Sequence, residues 1–162
     1  MSENNSTVAG WQPAAPARPG PAAGVAYAGF WIRVVAWFID AIAVGILTSA
    51  LAPLAGVGPF IAAGPDQFAV NYGANAVGAL VGVVYFVGFW SWKGQTIGMM
   101  PFRLWVVRTE DGGRLDIVQA FLRYVGLIIS FAVLLLGVIW VAFDARKQGW
   151  HDKMANSLVV RR

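Results

Sequence analysis

The chain has 162 residues, 58% of them hydrophobic and only 12% charged, a balance too apolar for a soluble domain of this size and expected of one integral-membrane domain. It contains no cysteine, which excludes disulfides, thiol redox chemistry and thiolate metal sites, and its single histidine, His151, excludes a histidine-based metal cluster. The formal charge is +4, carried by dispersed residues rather than by one dense basic run.

Residues 1–28 hold Pro13, Pro16, Pro19 and Pro21 among Ala and Gly and lack the apolar core of a secretory signal peptide, so they read as a disordered tail. Arg18 and Arg33 flank the entry to the first apolar run and place the amino terminus in the cytoplasm. The remaining residues, 29–162, form the transmembrane domain.

The first crossing is predicted over about residues 30–54, long enough for a bilayer core. Arg33 and Asp40 lie seven residues apart in it, on nearly one helix face and roughly 10 Å apart along the axis. Arg33 can reach the headgroups, and snorkelling is its simplest role. Asp40 is too deep, and a charge at that depth costs about 2.5 to 3.5 kcal/mol on insertion scales, so it should meet a protein partner or a wet cavity. Two roles suit it: a proton- or cation-binding carboxylate, or one half of an ion pair with Arg33 or Arg123 that fixes helix docking.

The following loop, 55–73, has no Lys or Arg, as an outward-facing segment should. The second crossing is expected over about 74–92, uncharged, with Ala74, Gly78 and Gly82 at spacing four forming a smooth face for close packing, including packing against a second copy. Trp31, Trp37, Trp90, Trp92, Trp140 and Trp150 fall near the ends of apolar runs, where interfacial anchors sit; Trp37 and Trp140 equally suit packing.

Lys93, Arg103, Arg108 and Arg114 return the chain to the cytoplasm. Gly94-Gln95-Thr96-Ile97-Gly98 lacks the lysine and the strand-loop-helix setting of a phosphate loop and reads as a tight connection. Residues 102–113 then carry a strand and a turn ending in Asp111-Gly112-Gly113. Asp116 and Gln119 have the spacing of a capping box opening a helix over about 117–143.

A single crossing there would leave Arg146, Lys147, Lys153, Arg161 and Arg162 outside, against the charge bias of the earlier loops. A broken or re-entrant segment turning near Leu136-Gly137 resolves the conflict. It also lets Ser157–Arg161, in the carboxy-terminal segment 144–162, pair as a strand with Arg103–Arg108, Val106 standing about 5 Å from Val159. His151-Asp152 is expected at a turn or helix start, Asp152 accepting backbone N–H bonds or binding Arg146. The expected fold is thus an all-α integral membrane protein: a small helical bundle with two firm transmembrane helices, a third broken or re-entrant segment and a minimal cytoplasmic β element.

No Ser-His-Asp set, Glu-rich metal box or Gly-x-Ser-x-Gly elbow exists, so no catalytic residues, no metal, no cofactor and no enzyme activity are expected. Charges dispersed beside membrane helices suit anionic lipid, not nucleic acid.

The order Arg33-x6-Asp40, Gly94-Gln95-Thr96-Ile97-Gly98, Arg123 and Gln148-Gly149-Trp150-His151-Asp152-Lys153 resembles the RDD family of membrane proteins, named for one arginine and two aspartates. On that resemblance Arg33, Asp40 and Asp152 match the motif, Asp152 in preference to Asp144, and form a candidate ion or proton site, with Arg123 and His151 as charge partners. The chain departs from the pattern at Met99, Met100 and Pro101, where many relatives carry a basic residue, and at Ala155-Asn156-Ser157. The resemblance implies a multi-pass protein of the bacterial cytoplasmic (inner) membrane, partnered by the lipid bilayer and by a second copy or another membrane protein. It suggests ion or small-solute transport; the alternative is a non-transporting scaffold whose charged triad is structural.

Overall fold

The computed structural model describes residues 20–22, 24–57 and 72–162. The tail expected over residues 1–28 lies outside them up to residue 19, as does the loop expected over 55–73 from 58 to 71, and the side chain of Ala74 is outside them too.

Helix α1 (Phe30–Leu51) runs uninterrupted because its sequence has no proline and only one glycine, and it ends where Pro53 removes a backbone donor. Helix α2 (Tyr72–Trp92) packs antiparallel to it: Asp40, midway along α1, meets Tyr85, while Thr48, further along α1, shares a cavity with Gly78, earlier in α2. Phe30–Ala55 and Asn75–Trp92 are both long and apolar enough to cross a membrane. Phe38, Ile42, Ile46, Leu80 and Val84 point outward from them, an apolar surface that needs lipid rather than water around it.

Helix α3 (Ile117–Ala132) opens on the expected capping box: Asp116 accepts from Gln119 N at 2.7 Å and Gln119 Oε1 accepts from Asp116 N at 3.3 Å. It stops where Leu134 and Leu135 take left-handed backbone angles, and helix α4 (Leu136–Phe143) continues at 100° to it. The break thus precedes the expected turn at Leu136-Gly137. Gly137 has a different task, since a Cβ there would lie 2.4 Å from Ser130 Oγ. If the bent pair counts as one span, three candidate spans are present among the described residues.

After α4 comes a short helix α5 (Trp150–Met154), and three strands form one antiparallel sheet: β1 (Ala26–Tyr27), β2 (Leu104–Arg108) and β3 (Ser157–Arg161), in the order β1-β3-β2. Val106 stands opposite Val159, the pairing expected from the two apolar runs. Because β1 precedes α1, β2 follows α2 and β3 follows α5, the bent α3–α4 segment leaves and rejoins the same end of the bundle. Leu104, Val106, Val159 and Leu115 are fully covered and continue the sheet into a core with Ala36, Trp90 and Ala120.

Two expectations are corrected here. Ala26 and Tyr27, assigned to the disordered tail, pair with Arg161 and Val160, partners from the far end of the chain that no local signal reveals. Trp90 is not an interfacial anchor but a core residue, 2% exposed, whereas Trp31 and Trp92 are exposed as anchors would be.

Candidate functional site

Two buried carboxylates, Asp40 and Asp152, are held by opposite means. Asp40 sits on the inner face of α1, 1% exposed. Its Oδ1 accepts from Tyr85 Oη and from Gly98 N, each at 2.7 Å, and its Oδ2 accepts from Thr96 Oγ1 at 2.6 Å. Tyr85 Oη in turn accepts from Ile97 N at 3.3 Å. The connection after α2 therefore does not simply leave the bundle. It turns at Gly94, whose φ is +74°, and presents Thr96 and Gly98 to Asp40. Only glycine fits at position 98, because a Cβ would lie 2.1 Å from Ala36 O.

Asp152, wholly buried in α5, is held by charge. Arg33 Nη1 donates to Oδ2 at 2.6 Å, Arg123 Nη1 donates to Oδ1, and Gly149 N donates to Oδ2 at 2.9 Å, closing the first turn of α5. Arg33 also donates to the carbonyls of Ala28 and Lys147, and Arg123 to Ser157 Oγ at 2.6 Å. Arg123 further stacks over the ring of Trp90, 4.8 Å from its centroid. One carboxylate thus ties together α1, α3, α5 and the start of β3.

The clamp corrects three expectations. Arg33 does not snorkel to headgroups or balance Asp40; it reaches across to Asp152, 119 residues away. Among the described residues Asp40 has no arginine partner, neither Arg33 nor Arg123. Asp152 does accept a backbone N–H at a helix start, yet it does not bind Arg146, whose N–H bonds Asp144 instead. Asp144 organises the preceding loop, accepting from Gln148 N at 3.1 Å and from Lys153 Nζ at 2.7 Å.

The packing face on α2 turns inward. A Cβ at Gly82 would lie 2.8 Å from Tyr124 Oη of α3, and Gly78 and Gly82 line a cavity of about 390 Å³ shared with Thr48 of α1. No group of three or more metal-ligating His, Cys, Asp or Glu residues occurs among the described residues. Sequence reasoning missed Tyr85, Thr96, Gly98 and Ser157. The glycine pair at 94 and 98 was the available signal, because such spacing accompanies close backbone approach.

The RDD family's sequence model matches residues 27–156, most of the chain and both carboxylate sites. The chain belongs to the RDD family. It is 31% identical over 147 residues to the uncharacterized protein YxaI of Bacillus subtilis (strain 168), covering 82% of this chain and 96% of that one. It is 33% identical over 138 residues to the uncharacterized membrane protein YteJ of the same organism, covering 83% and 81%. A shorter match, 28% over 86 residues, joins it to the uncharacterized protein RP437 of Rickettsia prowazekii (strain Madrid E), covering 53% of this chain and 47% of that one. No solved structure matches.

In this RDD protein Arg33, Asp40 and Asp152, the residues expected from the resemblance to match the family's motif, do not form a single triad. Arg33 and Asp152 belong to one cluster, completed by Arg123, and Asp40 belongs to another. Burial by itself would raise the pKa of Asp152, but the guanidiniums of Arg123 and Arg33 hold it well below the usual carboxylate range. Burial lowers that of His151 to about 4, and the nearby arginines add to this while Asp152 opposes it. Between about pH 6.5 and 4 the unfolded chain therefore binds a proton at His151 that the folded chain does not, so stability is full above this window and falls as pH falls through it. The loss is on the order of 3 kcal/mol for a shift of this size. Thermal unfolding of detergent-purified protein should show a Tm that declines from pH 7 to pH 4.5, and His151→Gln should flatten that decline; an equal slope in both would refute the assignment. Asp152 adds little above about pH 5, since its contribution begins to be lost only as the pH falls into the unfolded carboxylate range.

Proposed function

We propose that this RDD protein is a non-enzymatic, multi-pass component of the bacterial cytoplasmic membrane that handles ions or small solutes, with Asp40 as the group that takes up and releases a proton or cation. The observation that carries this reading is the cage around Asp40, which contains three hydrogen-bond donors and no cation. A proton on Oδ2 can be donated to Thr96 Oγ1, reversing one hydrogen bond without stranding a charge. Protonating Asp152 would instead leave two guanidiniums facing each other in a buried site. Of the two aspartates, one suits a change of charge and the other a fixed joint.

Exposed Lys93, Arg103, Arg114, Arg146, Arg161 and Arg162 gather on the sheet side of the helices, which supports a cytoplasmic sheet and a cytoplasmic amino terminus. Three helical segments enclose little volume, so a conducting path calls for a second copy or another membrane protein. Gly82, already covered by Tyr124, is not the surface that would receive it.

The test is flux of H⁺, Na⁺ or K⁺ into liposomes under a gradient. The wild-type protein should carry one of them, and Asp40→Asn, folded and inserted, should lower the rate roughly tenfold or more, as loss of an intramembrane ionisable group predicts. A second reading, a membrane scaffold, is favoured by one observation: every oxygen of Asp40 is already hydrogen-bonded and the neighbouring cavity wall is apolar. Folded wild-type protein that carries no ion would support it.

A further inference from the structure

We propose that the cavity between α1 and α2 is a water-filled furrow, leading from the membrane face opposite the sheet to the depth of Asp40. Its wall on α1 runs from Trp37 past Ala41 to Thr48 and Ser49, a helix rise of roughly 18 Å. Thr48 lies one turn before the end of α1 at Leu51 and Gly78 lies in the second turn of α2, so the furrow begins close to the helix ends that are far from the sheet. Gly45 and Gly78 bring no side chain into it. Its inner end is apolar and stands beside Asp40: Ala41 is on the wall, and Trp37 and Phe86 line both this furrow and the separate cavity that Asp40 borders. Those two rings are the partition between them.

The hydroxyls decide what fills it. A hydroxyl on a membrane helix can donate to the carbonyl four residues back, and Ser49, Ser91 and Ser130 do so, to Gly45, Val87 and Gly126 at 2.9, 2.8 and 2.7 Å. Thr48 does not. It is 4% exposed and on the furrow wall, yet among the described residues its hydroxyl has no hydrogen-bond partner. Tyr124 Oη, which reaches in from α3 over Gly82, is likewise without a partner among the described residues. An acyl chain offers neither donor nor acceptor, so a hydrocarbon filling would leave both hydroxyls unsatisfied. Water satisfies them. It needs about two to four polar partners, and Thr48, Tyr124 and the free lone pair of Ser49 supply them along a cavity of about 390 Å³. As a route to Asp40 the furrow rests on the ion-handling role proposed above; as a wet cavity it stands without it.

The experiment uses the full chain, which has no cysteine, so that one introduced thiol is the only one present. A thiolate, not a thiol, is the nucleophile, and a thiol ionises in water but not among acyl chains, so reaction with a charged, membrane-impermeant methanethiosulfonate reports water at that position. In membrane fragments open on both sides, Thr48→Cys and Ala41→Cys should be labelled roughly tenfold or more faster than Ile42→Cys and Ile46→Cys, whose side chains point outward from α1. Labelling in denaturing detergent confirms that each thiol is present. Should Thr48→Cys misfold, Gly45→Cys takes its place, because a Cβ there meets nothing within 4 Å. Wall positions labelled as slowly as the outward ones, the result if acyl chains or a second copy fill the furrow, would overturn the proposal. Slow wall labelling together with flux that depends on Asp40 refutes the furrow and leaves ion handling standing; fast wall labelling without flux supports the furrow and refutes ion handling.

Discussion

Asp152→Asn is expected to be the most damaging single substitution in this chain, destabilising the folded state by about 3 to 5 kcal/mol, the usual consequence of removing one member of a buried ion pair. The neutral amide would leave Arg33 and Arg123 facing each other with no compensating charge. It would also weaken the bond from Gly149 N that starts α5 and the joint between α5, α1 and α3. In practice the variant should accumulate poorly in membranes and elute as aggregate from mild detergent. Asp152→Asn combined with Arg123→Gln should recover part of the loss, because the uncompensated charge is reduced even though the hydrogen bonds are not restored. Asp40→Asn should be milder, since its three donors are neutral and its removal strands no cation. If Asp152→Asn unfolds no earlier than Asp40→Asn in a denaturant titration, the division into a charged joint and a neutral cage is wrong.

Gly98→Ala should produce the second large effect, through backbone contact rather than charge. The added carbon would lie 2.1 Å from Ala36 O and 2.9 Å from Asp40 Cγ, and neither atom is the free end of a flexible side chain. The connection must then withdraw from α1, taking Gly98 N and Thr96 Oγ1 away from the carboxylate. Overpacking of this kind typically costs about 1 to 3 kcal/mol, and the loss of donors to a buried carboxylate adds to it. Gly45→Ala and Gly88→Ala are the controls: both lie inside helices and a Cβ at either meets nothing within 4 Å, so each should be close to neutral. Denaturant midpoints of the three variants check this, and a Gly98→Ala midpoint equal to the controls would show that the connection is not held against α1.

The unequal roles of the two aspartates bear on how the RDD pattern is read. Their shared motif name suggests one constellation, yet the physical demands on them differ. Asp152 lies in a short helix beyond the apolar segments and needs cations because it joins separate elements. Asp40 lies within a candidate span and is held by three neutral donors rather than by a cation. Arg33 reaches away from its own helix neighbour because Asp152, once α5 is docked, offers an oxygen at 2.6 Å, while Asp40 has no free oxygen to offer.

Much of the architecture was determined by the sequence alone. The two long apolar runs can bury so many adjacent hydrophobic residues only as helices in lipid, and Asp116 with Gln119 caps α3 through bonds that span three residues. The strand-like runs around Val106 and Val159, with basic residues beside both, were enough to bring the two ends of the domain to one side. Tertiary structure decided the rest. Helical periodicity told which face Asp40 occupies but not what stands opposite, and its partners Tyr85, Thr96 and Gly98 lie 45, 56 and 58 residues away and carry no charge to advertise them. Local spacing offers Arg33 only the headgroups or the nearest acid on its own helix, whereas its partner is 119 residues distant. The strand at Ala26–Tyr27 exists only because Val160 and Arg161 arrive beside it, and the left-handed turn at Leu134–Leu135 is made by two leucines whose local preference is helical. Short-range bonds are written into neighbouring residues, while a buried group's partner is chosen by whatever the folded chain brings within 3 Å of it.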